Sequence, residues 1–202
     1  KIGNALEVQE AVEVLSGIVD EGDPLFEVCM LLGENLLVLG HLADNEEDAR
    51  KKLIEKIHDG SGLKKLQNMI TLQGGDASYL TVENMKKLVS VKQLVDIRSQ
   101  KDGYVASMNA MKIGNAAQML GAGRAKKDDV IDPAVGLVMK VRCGARVHKG
   151  DVLCTLYVND DTNLKTVEEM MLQAIHIADA PVDILPMVYG VVSEETLCAS
   201  AD

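Results

Sequence analysis

The chain has 202 residues, a formal net charge of −10 and aromatic side chains at only 2% of positions. Its length is enough to bury a sizeable core without disulfide or metal support, and that core must be built from aliphatic side chains and methionine. The negative charge disfavours nucleic acid and anionic membranes as partners, because neither would be attracted at long range.

The cysteines and the apolar runs indicate a reduced, cytoplasmic protein. Cys29, Cys143, Cys154 and Cys198 include no C-x-x-C pair, which argues against a zinc knuckle or a redox motif. The longest apolar run, residues 28–39, is interrupted and too short to span a bilayer, and no signal peptide opens the chain. A helical pattern begins within a few residues of a start that is not methionine, so we expect a truncated or cleaved polypeptide.

Four consecutive helices are predicted in the first third of the chain. Apolar spacing and capping residues place them at residues 4–15, from Pro24 to about residue 43, from Asn45 to Gly60, and from near Ser61 to Gln73. The second helix has apolar residues on nearly every face, so we expect it to be largely buried.

The pattern then changes to one typical of a β-rich domain. Strands are predicted at residues 91–97 and 104–108, joined as a hairpin around Asp102-Gly103. After a helix at 110–120, the remaining predictions are strands at 135–141 and 147–158, a helix at 162–178 and a closing strand at 187–192. The sequence therefore predicts an α+β fold: a helical segment at 1–78, a linker at 79–90 and a β-rich domain at 91–202.

The glycines at 121 and 123, followed by Arg124, resemble half of a dinucleotide-binding fingerprint. They follow a predicted helix, whereas phosphate binding needs a strand, a glycine turn and then a helix N-terminus. We therefore interpret them as a helix end and a tight turn, with Arg124 paired to an aspartate at 128, 129 or 132.

Ala110-Met111-Lys112 is similar to the biotin-carrying Ala-Met-Lys of biotinyl domains, and residues 149–153 are similar to the strand that surrounds it there. In those domains the modified lysine lies on the hairpin directly after that strand, a position held here by residues 159–161. Lys112 instead precedes the strand within a helical pattern, so we interpret the motif as a false match.

No other motif indicates catalysis. The histidines at 41, 58, 148 and 176 have no partner histidine at helical spacing, and no P-loop or nucleophile elbow is present. The charged run at residues 46–48 is interpreted as a solvated helix start.

Several separate segments together resemble the pyrimidine nucleoside phosphorylases, including the thymidine phosphorylases. They are residues 3–11 (GNALEVQEA), 73–76 (QGGD), 120–124 (LGAGR) with Ile131-Asp132, and 135–137 (VGL). The resemblance is in register over nearly the whole chain, fades after about Ala180, and corresponds to the C-terminal half of that family.

The resemblance implies reversible phosphorolysis, in which inorganic phosphate and a pyrimidine nucleoside give the free base and a pentose 1-phosphate. Family members are homodimers with a small helical domain and a larger α/β domain around the active-site cleft. The resemblance also implies that residues 1–78 belong to the α/β domain, and that the C-terminal domain is of the α/β-hammerhead or barrel-sandwich type.

Two segments that carry chemistry in the family are absent from this sequence: a Lys-His-Ser-Thr-Gly-Gly phosphate loop and a base-binding Ser-Ile-Met-Ser-Lys-Lys segment. We therefore expect no catalytic residue in this chain, no required cofactor and a structural role as scaffold. By resemblance, Glu10 is a candidate ligand for a monovalent cation, potassium, whose other ligands lie largely upstream of Lys1. The alternative hypothesis is a biotinyl or lipoyl-like carrier module.

Overall fold

The computed structural model of the chain describes residues 1–192, and its elements follow the helix-then-strand order that the sequence predicts. The helices are α1 (Asn4–Leu15), α2 (Pro24–Leu39), α3 (Glu46–His58), α4 (Ser61–Leu72), α5 (Ala110–Ala117) and α6 (Leu164–Ala174). The strands are β1 (Gln93–Arg98), β2 (Gly103–Met108), β3 (Gly136–Met139), β4 (Arg146–Val147), β5 (Val152–Val158) and β6 (Ile175–Ala178). Short 3₁₀ turns lie between α4 and β1.

Local capping sets where the first helices begin. The Asp23 carboxylate accepts a hydrogen bond from the Leu25 backbone N–H at 2.8 Å, and Pro24 occupies the first turn of α2. Asn45 caps α3 in the same way, since its Oδ1 accepts the Asp48 N–H at 3.0 Å. The four predicted helices are confirmed, although α2 ends at Leu39 and not near residue 43.

The prediction that α2 is largely buried is wrong. Phe26, Met30 and Glu34 are its buried residues, whereas Leu32 and Leu36 are exposed. One face of α2 is packed, and the apolar residues on another face are in contact with solvent.

Two antiparallel three-stranded sheets form the β-rich part, with strand orders β1-β5-β3 and β4-β2-β6. Strand β1 pairs with β5 from Gln93 opposite Val158 to Arg98 opposite Val152, and β2 pairs with β4 and β6. The predicted hairpin between β1 and β2 is therefore wrong: the two strands are sequence neighbours but belong to different sheets.

Three other element predictions need correction. The predicted helix at 162–178 ends at Ala174, because Ile175–Ala178 pairs as β6 with β2. The predicted strand at 147–158 is interrupted by a turn and splits into β4 and β5. Residues 187–192 contain no strand, and the last ten residues of the chain, with Cys198, lie outside the described range.

The main core joins both sheets to α5 and α6. Its fully buried side chains are aliphatic, methionine or cysteine, among them Leu137, Leu153, Leu156, Val167 and Met171. Each large apolar side chain that is fully buried contributes about 1.5–3 kcal/mol of transfer free energy, so the aliphatic composition is sufficient for a core. A smaller cluster around Val12, Leu80 and Met85 lies between α1 and the 3₁₀ turns.

The chain divides into two compact units. Among the described residues, the first contains residues 1–19 and 54–183, and the second contains residues 20–53 and 184–192. The α+β class is confirmed, while the domain boundaries at 78 and 91 stay a prediction. Within residues 1–192, no helix combines the length and the apolar run that a bilayer crossing needs.

Candidate functional site

Three of the four segments that carry the family resemblance meet at the N-terminal end of α1: residues 3–11, residues 120–124 with 131–132, and residues 135–137. Ile2 and Leu137 exchange two backbone hydrogen bonds, with N to O distances of 2.9 and 2.8 Å, and so form an isolated antiparallel bridge. Gly3 and Gly136 flank this bridge. We call these four residues the glycine bridge.

Both glycines of the glycine bridge are required by close backbone contact. A Cβ atom on Gly3 would lie 2.6 Å from Val135 O, and one on Gly136 would lie 2.2 Å from Ile2 O. Their φ angles, +138° and +154°, also fall where side-chain-bearing residues are rare. The bridge therefore fixes the start of α1 against β3.

The loop between α5 and β3 is held against the same end of α1. Asn4 Nδ2 donates to the Ala122 carbonyl at 3.0 Å, and the Ala5 N–H donates to the Pro133 carbonyl at 2.9 Å. Asp132 anchors the loop from within, since its carboxylate accepts the Ala134 N–H at 3.0 Å and Asn159 Nδ2 at 2.7 Å.

A cleft of about 360 Å³ opens beside these contacts, and we call it the motif cleft. Its lining consists of Ile2, Gly3, Asn4, Glu7, Gly114, Asn115, Ala117, Gln118, Ala122, Gly123 and Arg124. Most of these polar side chains are exposed, and Glu7 accepts the Gly3 N–H at 3.1 Å.

Arg124 does not form the predicted pair with an aspartate, so that prediction is wrong. Asp129 instead accepts the backbone N–H groups of Ala125 and Lys126, and Asp132 is occupied as described above. Gln118 Nε2 donates to the Arg124 carbonyl at 2.5 Å, which holds the backbone at that position. Within residues 1–192 the guanidinium has no ion-pair partner, so it is available to a carboxylate or phosphate group.

The motif cleft has a largely polar lining with few groups that act as acids, bases or nucleophiles. Its lining has no histidine, cysteine or lysine, and its one carboxylate, Glu7, is engaged by a backbone N–H. The cleft thus lies beside the structural junction at the glycine bridge.

Glu10, the candidate cation ligand, lies on α1 near the glycine bridge. The side-chain ammonium of Lys1 pairs with Glu13, which lies one turn after Glu10. A carboxylate such as Glu10 is the kind of ligand that a hard cation takes. Two carboxylates are fewer oxygens than a hard cation requires, and no cluster of three metal-ligating side chains forms among the described residues.

Lys112 lies on α5 and not at the tip of a hairpin. The Asn109 side chain caps this helix, and Lys112 Nζ lies 3.4 Å from Gln173 Oε1. A biotinyl lysine needs an exposed hairpin tip, so this placement supports the interpretation of the motif as a false match.

The four histidines do not lie close to one another in sequence or share an element. His148 lies 3.7 Å from Asp102, while the other histidines are on separate elements. Burial, followed by the nearby Asp96 charge, raises the pKa of Cys154 to about 12, so its thiol is protonated and inert at neutral pH.

Sequence reasoning missed the residues that hold the junction together, namely Asn4, Asp132 and Asn159. Asn4 and Asp132 lie in the segments that carry the resemblance, but nothing local to either residue shows what it contacts. Asn159 also accepts the Lys92 N–H at 2.9 Å, so it joins the start of β1 to the loop before β3.

Comparisons with known proteins match most of this chain. A family model described as "Pyrimidine nucleoside phosphorylase C-terminal domain" matches residues 104–178. The pyrimidine-nucleoside phosphorylase of Geobacillus stearothermophilus is 39% identical over 193 residues, which are 95% of this chain and 43% of that protein. The enzyme of the same name from Bacillus subtilis is 40% identical over 178 residues, or 88% of this chain and 40% of that protein.

A Staphylococcus epidermidis pyrimidine-nucleoside phosphorylase is 39% identical over 170 residues, which are 84% of this chain and 37% of that protein. The chain thus spans about two fifths of the length of the curated relatives that it matches.

Proposed function

Since the chain belongs to the pyrimidine nucleoside phosphorylase family, we propose that it is the scaffold part of an enzyme for the reversible phosphorolysis of pyrimidine nucleosides. In that reaction an oxygen of inorganic phosphate bonds to the anomeric carbon of the sugar. The carbon–nitrogen bond breaks, and its electron pair leaves with the base. The products are the free base and a pentose 1-phosphate.

The observation that carries the proposal is the junction at the glycine bridge. It connects α1, which belongs to the helical segment, to β3 and the loop before it in the β-rich part. Because the phosphate- and base-binding segments of the family are absent from this sequence, the role of this chain in the proposal is to position other parts of the enzyme. The β-rich part acts as a buttress for the large domain when the active-site cleft closes and excludes water.

We propose that the β-rich part has the α/β-hammerhead or barrel-sandwich arrangement. Two three-stranded antiparallel sheets that share one buried core support this assignment. We further propose that the whole enzyme is a cytoplasmic homodimer, an assignment that comes from the family resemblance.

We also propose that Glu10 contributes to a potassium site, completed by oxygens from residues outside this chain. The family resemblance of residues 3–11, which include Glu10, supports this assignment. In the whole enzyme, Glu10→Gln would then raise the potassium concentration needed for half-maximal stability or activity, whereas Glu7→Gln would not. Equal potassium dependence in both variants would contradict the assignment.

The scaffold role is tested by an assay of uridine and thymidine phosphorolysis with two proteins. One is this chain, and the other is a fusion in which the part of the Geobacillus stearothermophilus relative that precedes the matched region is joined to Lys1. We expect phosphate-dependent release of the base by the fusion and none by the chain alone. Robust turnover by the 202 residues alone would show that the active site lies within them.

A further inference from the structure

A second cavity, of about 760 Å³, lies in the β-rich part, and we call it the β6 cavity. Its lining comes from the turn before β2, from α5, from the start of β5, from the end of α6 and from β6. The volume falls in the range of cavities that bind small molecules in other proteins.

The elements of one domain form the β6 cavity. Every lining residue lies between positions 100 and 177, and the family model matches residues 104–178. The cavity therefore follows from how this domain packs its two sheets against its two helices.

The apolar side of the β6 cavity is fixed by the main core. Leu153, Ile175 and Ile177 line it, and their exposed fractions are 1%, 4% and 8%. All three belong to the main core, which holds their positions. An apolar ligand that covers this side is favoured by the hydrophobic effect.

The polar side of the β6 cavity carries basic side chains. Lys101, Lys112 and His176 line it, and among residues 1–192 no aspartate or glutamate does. Such a lining is unusual in a chain with a net charge of −10. Lys101 pairs with Asp179 at 3.0 Å, but the Asp179 side chain is 91% exposed, so this ion pair is weak and can exchange for another anion.

Lys112 is a half-buried ammonium that lacks an acidic partner. Its Nζ donates to the neutral Gln173 Oε1 at 3.4 Å, and within the described part of the chain it forms no ion pair. Lys112 also lies in the first turn of α5, where the positive end of the helix macrodipole disfavours a cation. An anion in the cavity would pair with the ammonium and offset both costs.

We propose that the β6 cavity is a binding site for a small organic anion with an apolar body. Its carboxylate or phosphate group pairs with Lys112, and its apolar body covers Ile175 and Ile177. This proposal goes beyond the proposed function and is independent of it, because it is argued from contacts within this domain alone.

An NMR titration of the isotope-labelled chain tests the site with hexanoate and with hexyl phosphate. We expect saturable shifts of the Gln173 and His176 backbone amides, with a dissociation constant of about 1 mM or lower for at least one of the two. The tighter of the two identifies the anionic group. Acetate and inorganic phosphate lack the apolar body and hexan-1-ol lacks the charge, so each should bind at least about fivefold more weakly.

Two lysine variants separate a specific ion pair from general charge attraction. Lys112→Gln should weaken the tighter anion at least about fivefold and leave the affinity for hexan-1-ol unchanged. Lys165→Gln is the matched control, because Lys165 also lies in the first turn of a helix, α6, but is exposed and outside the cavity lining. The urea midpoint of Lys112→Gln should be unchanged or raised, since a cation leaves the first turn of α5.

Four results would overturn the site. The first is no saturable shift at Gln173 and His176 with either anion up to about 20 mM, and the second is hexan-1-ol binding as tightly as the anions. The third is equal affinity of Lys112→Gln and Lys165→Gln for the tighter anion. The fourth is loss of binding in the folded fusion protein described above, because the rest of the enzyme would then fill the cavity.

These measurements are separate from turnover. Anion binding in a fusion that releases no base would contradict the proposed function and leave the β6 cavity as a binding site. Base release by a fusion that binds neither anion would overturn the β6 cavity and leave the proposed function intact.

Discussion

Position 136 excludes any residue with a side chain unless the backbone shifts, because a Cβ atom there would lie 2.2 Å from Ile2 O. We predict that Gly136→Ala lowers the free energy of unfolding by about 2–3 kcal/mol, through strain at positive φ and loss of the glycine bridge. Urea denaturation measures this change.

Gly114→Ala is the matched control for that substitution. Gly114 lies within α5, and a Cβ atom there would have no neighbouring atom within 4 Å, so alanine should be neutral or stabilise the helix by up to about 1 kcal/mol. Equal destabilisation by both substitutions would show that the close backbone contact at Gly136 does not cause the loss of stability.

Cys154 and the exposed cysteines differ in their access to solvent. Burial raises the pKa of Cys154 to about 12, whereas Cys29 and Cys143 are exposed. We predict that a thiol reagent at about pH 8, near the ordinary thiol pKa, modifies Cys29 and Cys143 but not Cys154 until denaturant is added. Mass spectrometry of peptides from the labelled protein identifies each site, and early modification of Cys154 would contradict its burial.

Asp59 makes the start of α4 sensitive to acid. Hydrogen bonds from the side chain and backbone of Ser61, then from Lys56, lower the pKa of Asp59 from 3.8 to about 2. Because the folded-state pKa lies below the unfolded one, the stabilisation is complete above the unfolded pKa and is lost as the pH falls from 3.8 to about 2.

The corresponding prediction concerns Asp59→Asn. The difference in urea midpoint between this variant and the unaltered chain should be largest near neutral pH and shrink through that acidic window. A carboxyl pKa for Asp59 near the ordinary value of about 4 in an NMR titration would contradict the prediction.

At the scale of the elements, one arginine joins α2 to α3. Arg50 donates to Glu34 at 2.8 Å and to Glu27 at 2.5 Å, and only Glu34 is buried. We predict that Arg50→Ala destabilises residues 20–53 by about 3 kcal/mol, since it leaves a buried carboxylate unpaired. Hydrogen exchange of the α2 amides measures this loss.

The double substitution Glu34→Gln with Arg50→Met separates the cost of an unpaired charge from the loss of a contact. It should recover most of the stability lost in Arg50→Ala, because neither a buried charge nor its desolvation remains. Glu27→Gln, at a half-exposed carboxylate, should cost less than about 1 kcal/mol. A double variant as unstable as Arg50→Ala would contradict this account.

The elements that the sequence predicts well are those that depend on local signals. The starts of α2 and α3 follow from caps within four residues, at Asp23 and Asn45, so they can be read from the sequence. Strand pairing is set by partners that are distant in the chain, such as Gln93 and Val158, so the Asp102-Gly103 signal predicts a hairpin that does not form. The predicted helix extends too far, over Ile175–Ala178, because no local signal shows that these residues pair with β2.

The candidate site is predictable only in part. The sequence motifs at residues 3–11 and 120–124 identify two segments of the site. The contact between these segments depends on the bridge between Ile2 and Leu137, which no local pattern encodes. The acidic residues that follow Arg124 predict an ion pair with its guanidinium. In the structure, the Asp129 carboxylate instead accepts a backbone N–H, and the Asp132 carboxylate accepts the Asn159 side-chain amide.

At the scale of the whole molecule, the carrier hypothesis makes a simple prediction. Lys112 lies on α5, outside any hairpin tip, so co-expression with a biotin ligase and free biotin should leave the intact mass unchanged. A biotinyl domain treated in parallel provides the positive control. A mass increase equal to one biotinyl group on Lys112 would restore the carrier hypothesis.

The bridge between Ile2 and Leu137 also constrains how the chain folds during synthesis. A contact between residues so far apart in the chain carries a large loop-closure entropy, and it cannot form until β3 has left the ribosome. While α2 to α5 are synthesised, the backbone groups of Ile2 and the Ala5 N–H therefore lack their native partners, Leu137 and Pro133. The order of translation therefore places the formation of this junction late, after β3 has been synthesised.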